Sequence, residues 1–259
     1  MLNKFCQLIF LLAVIIVVQL SGCSRLPEYA RPQFSDSAER PSGGPGFGYR
    51  PLKVSDFQAT ALPNSHDQYD HRIQARSCIT LRSSGDTSAR ISRGQIDGSV
   101  VYVGRFSQIR FEAEFNPACS WWSPDVRAER VDYVLQHELI HFALTEITAR
   151  RLNLEKREEI LHFMAIGSSP EEVRTQLQKE VKEVSRAAMS EDIAVHTAFD
   201  EDTSLYFDPA IQQRWYEKVT SELRELESIR RDRSTPGDHS ARAERVDQSI
   251  ILRVCHVIN

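Results

Sequence analysis

"VLQHELIHFAL", from Val134 to Leu144, decides how this chain is read. Within it His137, Glu138 and His141 form the pattern His-Glu-x-x-His. On an α-helix, positions four apart lie on one face, one turn from each other. His137 and His141 can then aim two imidazoles at one point, and neutral imidazole binds zinc at roughly 2.0–2.1 Å. Glu138 follows the first histidine, so its carboxylate can reach a water held at that point without becoming a ligand itself. Zinc lowers the pKa of bound water to roughly 7, and a neighbouring carboxylate can take the proton. The pattern predicts a Zn2+ site at His137 and His141 with Glu138 as general base. The alternative is a pair of satisfied core histidines on an ordinary helix.

The flanking sequence suits a buried helix. From Ala128 to Leu152 there is neither Gly nor Pro, and Val131, Val134, Leu135, Ile140, Phe142, Leu144 and Ile147 spread apolar surface around it. Ser123 followed by Pro124 predicts its start, with the hydroxyl as cap, the proline at the first position and Asp125 in the first turn. Further helical segments are expected after Asn153, from Pro170 to about Thr197, and from about Pro209 to Arg231. Ahead of the helices, "HRIQARSCITLRS" and "GSVVYVGRFSQIRFEAEFNP" carry β-branched residues and alternation, with Val101, Val103, Phe106, Ile109, Phe111 and Phe115 marking strands. Antiparallel strands first and helices later give an α+β fold.

The N-terminus indicates a compartment. Lys4 precedes an apolar run from Leu8 to Leu20, too short to span a bilayer comfortably and suited to a signal-peptide core. It ends in "LSGC", Leu20 to Cys23, which resembles a bacterial lipobox. The resemblance implies a signal peptide over residues 1–22, cleavage before Cys23 and lipid attachment to it. Ser24 rather than an aspartate follows, which resembles the outer-membrane class of lipoproteins. The expected location is the bacterial cell envelope, on the outer membrane facing the periplasm. Residues 23–51, rich in Pro and Gly, read as a flexible tether that would hold the fold off the membrane by some tens of ångströms. Residues 52–231 would form one domain, and residues 232–259 a link and a docking segment built on the apolar "SIILRVC".

Net charge is −4, which offers no footprint for nucleic acid. After export Cys78, Cys119 and Cys255 remain, and three thiols allow one disulfide in any of three pairings.

"FNPACSWWSPDVRAERVDYVLQHELIHFALTEITARRLN" resembles a family of exported bacterial proteins, a domain of unknown function described as zinc proteases. The family has a Ser-Trp pair before a helix reading H-E-x-x-H-F-x-x-x-E-x-x-x-R; here these are Ser120, Trp121, His137, Glu138, His141, Phe142, Glu146 and Arg150. Asp56 and Phe57 match its opening segment. Its later block, Tyr-Asp-x-x-Thr-x-His-Gly then Gln-x-x-Trp, is matched by Phe199, Asp200 and Thr203, then Gln212 and Trp215. The resemblance covers most of the chain after the tether and implies a zincin-like helical half, bound Zn2+ and a peptide or protein substrate.

The later block also departs from the family. Leu205 and Tyr206 stand where it has His-Gly, and that histidine is the natural third ligand. Asp200, which still matches, is the expected replacement, and His196 is the substitute. Glu146 lies about 180° around the helix from His137 and suits a supporting polar contact better. Glu158 and Glu159 stand at a wider ligand spacing without matching sequence. Tyr206 is a candidate to polarise the scissile carbonyl. Three readings follow: a lipid-anchored zinc peptidase, a degenerate envelope scaffold or binding module that keeps the fold, and a structural lipoprotein with an accidental motif.

Overall fold

The structure, a computed structural model, describes residues 24–35, 46–62, 73–233 and 251–258. The signal-like run, Cys23 and most of the link after the helices lie outside these residues. Among the described residues no helix is long and apolar enough to cross a membrane.

The fold is α+β, with antiparallel sheets mainly in the N-terminal half and helices after them. The larger sheet is organised around β3 (Ala75–Ser83). On one side β3 pairs with β6 (Phe111–Phe115), which pairs with β2 (Phe47–Gly48). On the other it pairs with β9 (Ile251–Ile258), which pairs with β1 (Gln33–Ser35). The short β7 (Trp121–Trp122) joins the start of β3. A second sheet contains β4 (Ser88–Ile96), β5 (Ser99–Gln108) and β8 (Ala165–Gly167).

β4 was not expected from apolar alternation, because most of its side chains are polar and exposed. The hairpin to β5 nevertheless has a local signature. Asp97 and Gly98 both take positive φ, 49° and 79°, as a two-residue type I′ turn requires. Gly104 of β5 has a different role: a side chain there would run into Val173 and Leu177, so its absence lets a helix lie close on the sheet.

Four α-helices follow among the described residues: α1 (Val131–Glu155), α2 (Arg157–His162), α3 (Pro170–Thr203) and α4 (Pro209–Arg233). α1 starts later than Ser123 predicts. Arg127 is extended, at φ −65° and ψ 144°, so the chain turns once before a short 3-10 stretch, Ala128–Arg130, leads into the helix. The Ser123 hydroxyl accepts from the Asp125 amide at 3.2 Å and caps that turn instead.

α1 is covered on both sides. Val134 and Phe142 meet Ala75, Ile79, Ala113 and Phe115 of the sheet. Ile140, Ala143, Leu144 and Ile147 meet Phe199 of α3 and Val219 and Leu223 of α4. A helix apolar around its circumference belongs in this position. A third cluster joins the second sheet to α2 and α3 through Phe106, Ile160, Val173 and Leu177. Burying a side chain such as Phe142 contributes roughly 1.5–3 kcal/mol.

Part of the expected tether belongs to the fold. Leu26 and Ala30 are buried, β1 pairs with β9, and β2 pairs with β6. Two apolar side chains and two short strands are enough to dock segments whose Pro and Gly content suggests a linker.

The landmarks of the family resemblance have structural roles. The Ser120 hydroxyl accepts from the Cys78 amide at 3.0 Å and donates to the Asn116 carbonyl at 2.7 Å. Asp56 is bound by Arg50 at 2.7 Å and by the Lys53 amide at 2.8 Å, and the Arg50 hydrogen bond holds its carboxyl below the usual range. Cys78 is paired with Cys119, with 5.8 Å between their Cα atoms. Closing a loop of this length stabilises by about 3–4 kcal/mol in the chain-entropy account.

Candidate metal centre

The centre lies where α1 crosses α3. His137 and His141 sit one turn apart on α1, as the spacing predicts. Asp192, His196 and Asp200 recur every four residues along α3, which puts all three on one face. α3 runs on to Thr203, six residues past its expected end, because Phe199 packs fully buried against α1 and the Ser204 amide closes on the Asp200 carbonyl at 2.8 Å. Asp200 is therefore a helical residue rather than one in a loop. α4 is fixed beside them: the Gln212 side chain donates to the Tyr133 carbonyl at 2.8 Å and to Gln136 at 2.9 Å, and the Trp215 indole donates to Asp202 at 3.0 Å.

Three ligand atoms converge. His137 Nε2 lies 3.0 Å from Asp200 Oδ1, His141 Nε2 lies 2.9 Å from the same oxygen, and the two ring nitrogens are 3.0 Å apart. All three side chains are fully buried. This His137, His141 and Asp200 group is positioned to hold a metal ion.

The surrounding bonds assign the imidazole tautomers. Asp192 Oδ2 lies 3.0 Å from His196 Nε2 and its Oδ1 accepts from Thr148 at 2.8 Å. An ionised carboxylate only accepts, so the His196 proton is on Nε2 and its Nδ1 carries a lone pair. His141 Nδ1, 2.8 Å from that lone pair, is then the donor, and its Nε2 keeps a lone pair. On the other histidine, the Thr203 hydroxyl donates to the Phe199 carbonyl at 2.7 Å and its oxygen faces His137 Nδ1 at 3.4 Å. His137 Nε2 again keeps its lone pair. In these tautomers both Nε2 lone pairs converge beside a carboxylate oxygen, the arrangement of donors that a cation accepts. Around a tetrahedral zinc the ligand atoms are about 3.3 Å apart, so an outward shift of a few tenths of an ångström admits one.

Electrostatics point the same way. Burial pushes His137 down to about 4 and His141 well below its usual value, so both are neutral near pH 7 and their contacts with Asp200 are not ion pairs. Burial raises the Asp200 carboxyl, and its Oδ2 has no hydrogen-bond partner among the described residues. A buried carboxylate without a compensating charge is costly, and a divalent cation supplies that charge. Glu138 is also fully buried. The Ser77 hydroxyl of β3 donates to its Oε2, its Oε1 has no partner among the described residues, and burial pushes it up to about 8.

Comparison with protein-family models, curated proteins and solved structures finds no match to this chain.

Two expected roles are corrected. His196 does not reach the ligand point; it binds the far nitrogen of His141 and so supports a ligand rather than replacing one. Tyr206 is 78% exposed beyond the end of α3, so it is not directed into the buried centre. Glu146 binds Arg150 at 2.7 Å, in keeping with a supporting contact, and Glu158 and Glu159 pair with Arg157 and Lys156 away from the centre. Asp192 and Ser77 were not anticipated, and Thr203 was marked only as part of the later family block. The repeat Asp-x-x-x-His-x-x-x-Asp was the available signal for Asp192.

Removing the support should weaken the ligand. Asp192→Ala is expected to lower metal affinity about 10–100-fold by freeing the His196 and His141 rings. Asp192→Asn, which keeps an acceptor oxygen, should fall between it and the wild type. Competition against a chelating dye measures both, and equal affinity in all three proteins rules out the relay.

Proposed function

We propose that this protein is a lipid-anchored, zinc-dependent hydrolase of the bacterial cell envelope, a peptidase with a zincin-like helical half. The observation that carries the reading is the convergence of His137 Nε2, His141 Nε2 and Asp200 Oδ1 within 3.0 Å, with Glu138 next in sequence to His137 and one of its oxygens unengaged among the described residues. Two imidazoles and one carboxylate, with a fourth position left for water, make up the donor set of catalytic zinc in hydrolases. A zinc ion there would supply Lewis-acid activation of water and of an amide carbonyl. His137 and His141 hold neutral rings toward it, and Asp200 contributes negative charge. Glu138, which burial pushes up to about 8, would be ionised beside a bound cation, and its carboxylate would take the proton of the attacking water and return it to the departing amine. Ser77 engages one carboxyl oxygen and leaves the other for that transfer. The substrate is a peptide or protein, nucleic acid has no part, and the membrane is reached through lipid on Cys23.

A second reading draws on one observation. His137, Glu138, His141 and Asp200 are all fully buried, and closed sites are the mark of structural metal. The protein would then be an envelope scaffold or binding module.

One experiment separates the two. Purified protein is expected to carry one equivalent of zinc by atomic absorption and to cleave an unstructured protein such as casein. Chelation should abolish cleavage and added Zn2+ should restore it. Zinc without cleavage selects the scaffold, and absence of zinc sinks both readings.

A further inference from the structure

The beginning of the expected tether is docked beside the metal centre. The Arg25 amide donates to Glu201 Oε1 at 2.6 Å, and the Arg25 guanidinium lies 3.8 Å from the same carboxylate. The Ser24 hydroxyl also binds Glu201 and helps hold that carboxyl below its usual range. Leu26 is 2% exposed and Ala30 fully buried, so the segment is held by packing as well as by charge. Glu201 adjoins the ligand Asp200 in sequence. Five residues on, at the exit of α3, stand Tyr206 and Phe207, 78% and 50% exposed. Phe207 packs on Tyr133 with 4.7 Å between ring centroids, and the Arg130 guanidinium lies over the Phe207 ring, 3.5 Å from its centroid.

We infer that Tyr206, Phe207 and Arg130 form a bilayer-contact patch, held against the membrane by the docking of residues 24–31 on the end of α3. The inference rests on the reading of Cys23 as the lipidated residue. Ser24 directly follows Cys23 in the sequence, so lipid carried by Cys23 would be joined to the docked segment without a long tether between them. Tyr206 follows Glu201 by five residues, so the two Cα atoms are at most roughly 18 Å apart. Tyrosine and arginine each join apolar surface to a polar end, which suits the interfacial zone of a bilayer. Arg130, at the Phe207 ring, offers charge complementary to lipid phosphate. The fold therefore lies on the membrane with the loop between α3 and α4 facing lipid.

The test uses the full-length lipidated protein in phosphatidylethanolamine–phosphatidylglycerol vesicles. A photo-activatable benzophenone amino acid replaces Tyr206, or Gln95 at the exposed hairpin tip as the control. Irradiation is expected to attach radiolabelled phospholipid at position 206 several-fold more than at position 95. A flexible spacer of about 20 residues between Ser24 and Arg25 adds roughly 25 Å of reach. It should abolish most of that capture while palmitate labelling of Cys23 persists. Equal capture at both positions, capture of protein instead of lipid at 206, or undiminished capture with the spacer overturns the inference. Absence of lipid on Cys23 overturns the anchor reading and this inference with it, whereas lipid on Cys23 without capture at 206 overturns this inference alone.

Discussion

Asp200→Ala is expected to leave a folded protein that binds Zn2+ about 10²–10⁴-fold more weakly than the wild type. A small structural zinc site is worth about 10–16 kcal/mol, so one donor of three accounts for roughly 3–5 kcal/mol. The substitution also removes the carboxyl that burial penalises, so the metal-free fold should tolerate it. The contrast appears in thermal melting. Chelation should lower the wild-type melting temperature, because a ligand that binds only the folded state stabilises it. The same treatment should leave Asp200→Ala unmoved. Identical zinc affinity in the two proteins would remove Asp200 from the ligand set and leave two histidines as the whole site.

Glu138→Gln is expected to separate binding from chemistry. Glutamine keeps the volume of the side chain and an oxygen for the Ser77 hydroxyl, so the core should accept it. Zinc content should stay at one equivalent, because this side chain is not among the three that converge. Peptide hydrolysis should fall by about 10²–10⁴-fold, the usual contribution of a positioned general base. Loss of zinc would turn Glu138 into a ligand or a folding determinant. Unchanged hydrolysis would assign the proton transfer to another group.

How much of this was legible in the sequence depended on how local the determinant is. His137, Glu138 and His141 lie within one turn and a half of a single helix, so spacing alone placed the two imidazoles together. Asp200 is a long-range partner, and only the Phe-Asp-x-x-Thr remnant of the family block pointed to it. His196 is legible as a ligand candidate, but its part beside Asp192 shows only once His141 of a distant helix lies against it, although both residues fall within the expected helix. Acidic residues at the end of an apolar pattern resemble a loop; burial of Phe199 keeps them helical. β4 escaped because a strand exposed along most of its length shows no apolar alternation, although Asp97–Gly98 announced its turn. Leu26, Ala30 and Phe47 were masked by the Pro and Gly around them, and local composition carries no information about the distant strands and helices that receive such residues.

The placement of β3 bears on how the protein is made. It lies between β6, which follows it closely, and β9, which comes only after the entire helical half. During synthesis one side of β3 can close at once, while the other presents open amides and carbonyls for as long as the helices α1 to α4 take to emerge. Such an open edge is a template for unwanted pairing with other chains. The interval grows with every residue inserted between α1 and β9, so elongation of that region raises the hazard of aggregation even where the finished fold would accommodate it.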